Sequence, residues 1–423
     1  MTYFSVPYGK GEIRFQINGD DRIDQLEPEP TEPLVNPAEA IRSALKHPLY
    51  RQTLPAFTAT SSVGIAINDK TRPVPQPNPV PVLLEHLENI GVKPDNITIF
   101  IGSGTHAPME GDELHRLLNE QVISRYRVII HDCDQSALID LGKTRYKTPI
   151  QINADFYHCD LKISVGNIEP HHFMGFSGGV KTAVIGLAGR ETINANHAML
   201  TVPQARSGVY RINPMRQDIE EIGHKVRIDY SLGTILDETK QIIKVFYGHP
   251  DEVMQKAIPY VRQIFGVTVE KPYDMVIASP GGSPKDINLY QSQKALTHAA
   301  RLTRDGGYVL LLAACPEGSG SLAYENYVKE ARSHEAIIQH FSEGYFEVGP
   351  HKAFQIAREA TRVNLILVSD IAADTVKQWK LIPCPPKLLN PLINWVIDRL
   401  PKEARIAILP AATRTMPGVQ HDK

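Results

Sequence analysis

The sequence has few cysteines, no long apolar run and almost no net charge, and each of these absences excludes a class of protein. The four cysteines, Cys133, Cys159, Cys315 and Cys384, lie far apart without a CxxC pair, so a cysteine zinc site or dithiol redox motif is not expected. No apolar run approaches the roughly 18 residues needed to span a membrane. The net charge of −2 gives no excess of positive charge that would attract nucleic acid or an anionic membrane. Because the start also lacks a secretory signal, we expect a soluble, cytoplasmic protein with reduced thiols. We expect it to bind neither nucleic acid nor a membrane.

The chain is too long for one hydrophobic core, which predicts two domains. Its 423 residues exceed the roughly 250–300 at which single cores stop growing. Apolar segments typical of strands alternate with segments typical of helices, a pattern that favours α/β domains. We predict an N-terminal α/β domain at 1–268 and a smaller α/β domain at 269–423, whose last residues are able to pack back on the first. The expected fold class is α/β: two α/β domains with an active-site cleft between them.

Polar side chains follow three predicted strands of the first domain, at the point where each strand ends. Asp69, Thr71 and Arg72 follow one strand, His106 lies in a Gly-Ser-Gly-Thr-His-Ala-Pro turn after the next, and His171 follows a third. Ligands bind at the carboxyl ends of strands in open α/β sheets. Imidazole can donate or accept a proton near neutral pH. The pattern predicts a polar site built from several loops, although a histidine that merely bonds its own loop together is the alternative for His106.

The segment Ser177-Gly178-Gly179-Val180-Lys181 places a lysine directly after a glycine-rich turn. Its spacing is not that of a phosphate-binding P-loop. A lysine at the start of an apolar stretch can be partly desolvated, which lowers its pKa and makes its amine a nucleophile or an anion contact. The alternative is a solvated lysine at a helix start. Sixteen residues further on, His197 is a lone imidazole, which suits a metal only if a cofactor supplies the other ligands.

A helix predicted at 288–303 carries the candidate binding residues of the second domain. Gln291 and Lys294 are three residues apart, so they share a helix face. An amide and an ammonium on one face suit a carboxylate. The alternative is an ordinary solvated helix face.

These motifs, in this order, resemble the lactate racemase family of nickel-pincer enzymes. The shared pattern is Asp-x-Thr-Arg-Pro at 69–73, Gly-Thr-His at 104–106, the spacing His-x9-Lys-x15-His from 171 to 197, and Asn-Leu-Tyr-Gln-x-x-Lys at 288–294. The resemblance covers nearly the whole chain, and its combined spacing is highly specific.

The resemblance implies a covalently bound nickel pincer nucleotide, the nickel complex of pyridinium-3,5-bisthiocarboxylic acid mononucleotide. It implies that Lys181 forms the thioamide link to this cofactor. His197 is implied as the fourth ligand of a planar nickel site, a geometry that nickel favours. Other residues implied to contact the cofactor are Asp69, Thr71, Arg72, Ser177, Gly178 and Gly179.

The same resemblance implies a racemase or epimerase that inverts C2 of a 2-hydroxy acid by reversible, proton-coupled hydride transfer. His106 and His171 are implied to be the two catalytic acid/base groups. The residues implied to bind the substrate are Arg72 of the first domain and Tyr290, Gln291 and Lys294 of the second. Dedicated cofactor maturation proteins are the implied partners.

The sequence leaves the substrate and two other functions open. Val180 stands where lactate-active members carry arginine, so the substrate is either lactate or a larger 2-hydroxy acid such as a sugar acid. One alternative function is a hydrolase or lyase that binds zinc through His106, His171 and His197. Another is a non-catalytic homologue that binds the cofactor without turnover.

Overall fold

The computed structural model describes residues 2–17, 23–50, 58, 60–75, 78–109, 112–344, 346 and 349–419. The chain forms two compact units. We call Pro30–Ile264 the central unit, and Met1–Glu29 with Phe265–Lys423 the terminal unit. No helix among the described residues is both long and apolar enough to cross a membrane.

Strands occur along the whole chain. In chain order they are β1 (Thr2–Tyr8), β2 (Gly11–Ile17), β3 (Ile23–Gln25), β4 (Val63–Asn68), β5 (Ile97–Gly102), β6 (Arg127–Ile130), β7 (Leu138–Lys143), β8 (Pro149–Asn153), β9 (Leu161–Asn167), β10 (Pro170–His171), β11 (Gly175–Phe176), β12 (Tyr230–Leu236), β13 (Ile242–Gly248), β14 (Gly266–Val269), β15 (Tyr273–Ala278), β16 (Thr303–Leu312), β17 (Asn364–Val368), β18 (Ile382–Cys384), β19 (Ile406–Leu409) and β20 (Met416–Val419).

Helices alternate with many of these strands. They are α1 (Pro37–Lys46), α2 (Pro79–Asn89), α3 (Glu113–Leu117), α4 (Glu120–Arg125), α5 (Ala154–Tyr157), α6 (Lys181–Gly186), α7 (Arg190–Ala198), α8 (Pro214–Val226), α9 (Pro250–Phe265), α10 (Leu289–Leu302), α11 (Leu322–Glu330), α12 (His334–Glu343), α13 (Pro350–Ala360), α14 (Ala373–Gln378) and α15 (Leu389–Ile397).

The central unit is built on a six-stranded sheet of order β13-β12-β9-β4-β5-β6. All neighbours are parallel except β12 and β13, which are antiparallel. The middle strand β4 is apolar along both faces, as expected for a strand covered on both sides. Val63, Ile65 and Ile67 join the core formed with α1 and α2. On the other face, a Cβ at Gly64 would lie 2.9 Å from a ring carbon of Phe156 in α5, so this position has room only for glycine.

The carboxyl ends of β4, β5 and β9 position the loops of interest, since these three strands are parallel neighbours in the sheet. Helix α6 packs against the same strands. Its approach to β5 is close: a Cβ added at Gly186 would lie 2.8 Å from the Cα of Gly102. The start of α6, at Lys181, is therefore held against the sheet edge where the loops emerge.

The terminal unit contains a parallel sheet of order β18-β17-β16-β15-β19-β3. The second half of β16 and the strands β17 and β19 are largely apolar, and Met275 and Ile277 of β15 are fully buried. The hairpin β1–β2 packs on one face of this sheet, where Val6 and Phe15 share a core with the β15 side chains.

The structure confirms the predicted α/β class but divides the chain differently from the predicted 1–268 and 269–423. The N-terminal 29 residues group with the C-terminal part, because β3 pairs with β19 and the first hairpin joins that core. Near the other end, β20 pairs with β14, so both strands belong to the terminal unit. The change of unit at Ile264 lies close to the predicted boundary.

Candidate active site

A hydrogen-bonded pair, His106 with Asp69, lies where the loops after β4 and β5 meet. The Nδ1 of His106 lies 2.8 Å from Oδ2 of Asp69. Because a carboxylate only accepts, Nδ1 carries the proton and Nε2 carries the lone pair of the neutral ring. Thr71 donates its hydroxyl to Oδ1 of Asp69 at 2.6 Å. The arrangement leaves Nε2 of His106 able to act as a base.

The Asp69 carboxylate is almost completely buried, with 2% of its surface exposed. Burial acts to raise its pKa, but the hydrogen bonds from His106 and Thr71 outweigh burial and hold the pKa of Asp69 below its usual value. Asp69 is therefore ionised at neutral pH, and its negative charge stabilises a proton taken up by His106.

The glycine-rich turn before Lys181 requires both of its glycines. Gly178 and Gly179 have φ values of +78° and +62°, which side chains rarely adopt. A Cβ at Gly178 would lie 2.6 Å from Cγ1 of Ile168. The hydroxyl of Ser177 donates to the carbonyl of Asn167 at 2.8 Å and accepts from the amide of Glu169 at 3.0 Å. The Ser177 hydroxyl thus closes the loop by bonding two backbone groups.

Lys181 is half-buried, and its surroundings disfavour a positive charge. Burial, followed by the cations Arg72 and Arg216, lowers the pKa of Lys181 to about 7. Its amine is therefore neutral, and hence nucleophilic, in a substantial fraction of molecules at neutral pH. Asp69 and Glu169 also act on Lys181, in the opposite sense.

His197 lies close to Lys181 on helix α7. Burial, together with the charge of Lys181, lowers the pKa of His197 to about 4, so the ring is neutral at neutral pH. Its Nδ1 donates to the backbone carbonyl of Ile193 at 2.9 Å, which leaves the lone pair on Nε2. A histidine ligand of a metal is commonly fixed in this way, by a hydrogen bond from the other ring nitrogen.

His171 ends β10 and is linked to His197 through an aromatic side chain. The ring of Phe173 lies 4.5 Å from that of His171 and 5.3 Å from that of His197. The amide of Met174 donates to Nδ1 of His171 at 3.2 Å, so the neutral ring carries its proton on Nε2. His172 stacks on His171 at 4.7 Å, because the chain turns after His171 and the segment does not continue as a strand.

Arg216 was not predicted from the sequence, yet it holds the turn that carries Lys181. Its side chain is fully buried and donates to the carbonyls of Phe176 and Gly178 at 3.0 and 3.1 Å. Glu220 neutralises it at 2.6 Å. The sequence does contain a sign of this buried ion pair, because the arginine precedes a glutamate by four residues on the apolar face of a helix. Met215, Ile219 and Ile222 of α8 are buried on that face.

A pocket opens beside Asp69 and Arg72, at the carboxyl ends of β4, β9 and β12. Asn167, another residue missed in the sequence, lies in its lining. It donates to the carbonyl of Pro73 at 2.7 Å and accepts from Thr234 at 2.8 Å. Asn167 thereby fixes the loop that carries Asp69 and Arg72.

The other predicted substrate-binding residues, Tyr290, Gln291 and Lys294, lie in the terminal unit on α10. Asn288 caps this helix, since its side chain accepts from the amide of Gln291 at 3.0 Å. Gln291 and Lys294 are exposed, and Tyr290 is half-buried. The predicted helix and the shared face of Gln291 and Lys294 are thus present.

Among the residues that the structure describes, His106, His171 and His197 do not form a metal site made of protein ligands alone. Within the described ranges, the group of three potential ligands close enough to share an ion is Asp132, Cys133 and Asp134. His106, His171 and His197 form no such group there. The zinc alternative therefore has no geometric support.

The chain matches the two domains of one protein family. The family described as "Lactate racemase N-terminal domain" matches residues 8–208, and "Lactate racemase C-terminal domain" matches residues 268–413. A lactate racemase of Thermoanaerobacterium thermosaccharolyticum is 30% identical over 380 residues, 88% of each chain. One of Lactiplantibacillus plantarum is 28% identical over 381 residues, covering 88% of this chain and 89% of that one.

Solved structures of other proteins share the fold of this chain. The lactate racemase apoprotein from T. thermosaccharolyticum superposes with a TM-score of 0.87 at 26% identity, over 98% of this chain and all of the other. A Thermotoga maritima protein matches with a TM-score of 0.63 at 17% identity, over 93% of this chain and all of the other, which shows a shared fold alone.

The fold and the site define a two-unit α/β enzyme of the isomerase class. The chain belongs to the lactate racemase family, as its motifs predicted. Membership of this family implies a metal-dependent cofactor.

Proposed function

We propose that the protein inverts C2 of a 2-hydroxy acid, using a nickel pincer nucleotide attached to Lys181. The observation that carries this proposal is the grouping in the central unit of a base, the pair of His106 and Asp69, with a lysine of lowered pKa and a neutral histidine. These groups supply a proton acceptor, a nucleophilic amine and a metal ligand. A hydrogen bond joins His106 to Asp69, and Lys181 interacts electrostatically with Asp69 and His197.

The donor set fits the proposed cofactor. Lys181 has an amine of near-neutral pKa for the covalent link, and His197 has a neutral ring with its lone pair on Nε2 for the metal. The glycine turn of Gly178 and Gly179 lets the backbone approach a ligand closely. Arg72 acts on both Lys181 and His197 electrostatically and is a suitable contact for an anionic group. When bound, the cofactor supplies a centre that accepts and returns the hydride of C2.

The two acid/base histidines differ in their protonation. His106, held by Asp69, has a lone pair on Nε2 and takes the hydroxyl proton of one enantiomer, after which the carboxylate stabilises the imidazolium. His171 accepts from the amide of Met174, so its neutral ring has an Nε2–H to give to the oxygen of the keto acid once this has turned over. In the reverse direction, the two roles exchange.

The substrate is proposed only as a class. Arg72, Tyr290, Gln291 and Lys294 are the residues proposed to bind its carboxylate and neighbouring groups. Val180 is buried against α8: its side chain would lie 2.6 Å from a Cβ at Gly223. This position therefore offers no cation to the substrate, and the proposed class includes larger 2-hydroxy acids as well as lactate. A non-catalytic homologue would not need the pair of His106 and Asp69.

The test is a racemisation assay of protein co-expressed with the cofactor maturation proteins. Single enantiomers of lactate and of larger 2-hydroxy acids are incubated separately, and the opposite enantiomer is measured by chiral chromatography. We expect conversion of at least one acid, and its loss in the His106→Ala variant. Cofactor-loaded protein that converts none of the panel would contradict the proposal.

A further inference from the structure

Lys352, in the first turn of α13, is a buried lysine outside the residues discussed above. Only 3% of its surface is exposed. Its Nζ donates to Oε1 of Gln293 at 2.8 Å and lies 4.8 Å from the centre of the Tyr290 ring. Both contacts come from α10, the helix that carries Gln291 and Lys294.

The amine of Lys352 has no carboxylate partner in the part of the chain that the structure describes, which excludes 345, 347 and 348. Within that part, no carboxylate lies within ion-pair distance of Nζ, and the charged side chain whose field reaches it is another cation, Lys294. The titratable neighbours are Tyr290 and His351, whose rings contact each other at 5.9 Å. Burying a cation without a partner is costly, so burial favours the neutral amine of Lys352, and an anion placed beside Nζ would favour the charged form.

A second polar group on α13 is also unsatisfied. Gln355 is 3% exposed, and its buried Oε1 has no hydrogen-bond partner. It follows Lys352 by three residues, so the two side chains leave the helix as neighbours. A carboxylate accepts from an ammonium and a hydroxyl donates to an amide oxygen, and a hydroxy acid carries both groups.

We propose that Lys352 binds the carboxylate of a hydroxy acid in the seam between α10 and α13, as a second cation beside Lys294. The assignment of the ligand as a 2-hydroxy acid rests on the proposed function. Tyr290 and Gln293 position the ammonium, and Gln355 accepts from a hydroxyl of the same ligand.

The state of Lys352 makes the proposal measurable without the cofactor. Burial, and then Lys294, lowers the pKa of Lys352 to about 7. A bound carboxylate favours the charged form and raises this pKa, so binding takes up a proton in the range above pH 7 where the unliganded amine is largely neutral. The expected uptake is about half a proton per ligand at pH 7 and nearly one at pH 8.

The experiment is isothermal titration calorimetry of the full-length apoprotein with D-gluconate and with L-lactate. Each titration is run at pH 7 and pH 8 in buffers of different ionisation enthalpy, which yields the number of protons taken up. Lys352→Met should weaken binding at least tenfold and abolish the uptake. Lys352→Arg should keep binding within about threefold without uptake, because arginine stays charged. Lys377→Met, which removes an exposed lysine of the same unit, should behave as the wild type.

Several outcomes would overturn the assignment. The first is that the wild type binds neither acid, and the second is that it binds without taking up a proton. The third is that Lys352→Met keeps its affinity while unfolding at the same temperature as the wild type. If Lys352→Met unfolds, the Lys352→Arg titration still decides, since proton uptake that persists in it rules out Lys352 as the titrating group. None of these results bears on cofactor attachment at Lys181, so failure here is distinguishable from failure of the proposed function.

Discussion

Replacing Asp69 by asparagine should slow racemisation while leaving Lys181, the proposed point of cofactor attachment, unchanged. The substitution keeps the size of the side chain but removes the negative charge that faces Nδ1 of His106 at 2.8 Å. An amide can also present its NH2 group to the ring, which would favour the tautomer with the proton on Nε2. His106 would then lose both its orientation as a base and the stabilisation of its imidazolium.

The size of the effect follows from the burial of this pair. A hydrogen bond to a charged group contributes about 1.5–3 kcal/mol, and Asp69 is nearly inaccessible to water. Since 1.4 kcal/mol corresponds to a factor of ten, we expect racemisation to slow by about 10- to 150-fold. Removing Thr71, which bonds the far oxygen of Asp69, should have a smaller effect.

The assay compares kcat of cofactor-loaded Asp69→Asn with the wild type, and with Asp95→Asn as a control at an exposed aspartate. Nitrogen-15 NMR of the histidine rings reports the tautomer of His106 independently of activity. Racemisation within twofold of the wild type, or an unchanged tautomer, would refute the reasoning.

The lowered pKa of Asp69 adds a stability test. Its contribution is fully present above about pH 4 and lost as the pH falls through the folded-state pKa, so unfolding free energies of the wild type and Asp69→Asn should converge in acid.

Three other predictions concern individual side chains. His197→Ala should keep its fold but lose most bound nickel, measured by mass spectrometry of the metal after dialysis; undiminished nickel would count against its role. His106→Ala and His171→Ala should both stop racemisation and respond oppositely to the two enantiomers in the cofactor spectrum, so identical responses would disprove the pairing. Arg216→Met should destabilise the protein by about 3–5 kcal/mol in urea unfolding, because it leaves a buried carboxylate unpaired, whereas the exposed Arg125→Met should have little effect.

The sequence predicted which loops of the central unit lie together, because strand ends are readable from apolar runs. Asp69, His106 and Lys181 follow short apolar segments or glycine turns, and the parallel order of β4, β5 and β9 brings the three loops to one sheet edge. Local structure is readable in the same way: the side chain of Asn36 caps α1 by accepting from the amide of Glu39, and asparagine followed by proline is typical of a helix start.

The parts that could not be predicted depend on contacts between residues far apart in the chain. Arg216 bonds carbonyls 38 and 40 residues earlier, and nothing local marks those carbonyls as its partners. The first hairpin looks like any other hairpin in sequence, and only its packing against β15 assigns it to the terminal unit. Lys352 lies 59 residues from Gln293, so its burial cannot be seen in the amphipathic pattern of α13.

The central claim, that Lys181 is the attachment point of a nickel pincer nucleotide, is tested most directly by mass spectrometry of protein co-expressed with the maturation proteins. Intact mass followed by peptide mapping of the wild type should show a nucleotide adduct on the peptide that contains Lys181. Lys181→Ala should fold as the wild type and carry no adduct. An adduct of the same mass on Lys181→Ala, or a loaded and active wild type whose Lys181 is unmodified, would contradict the account.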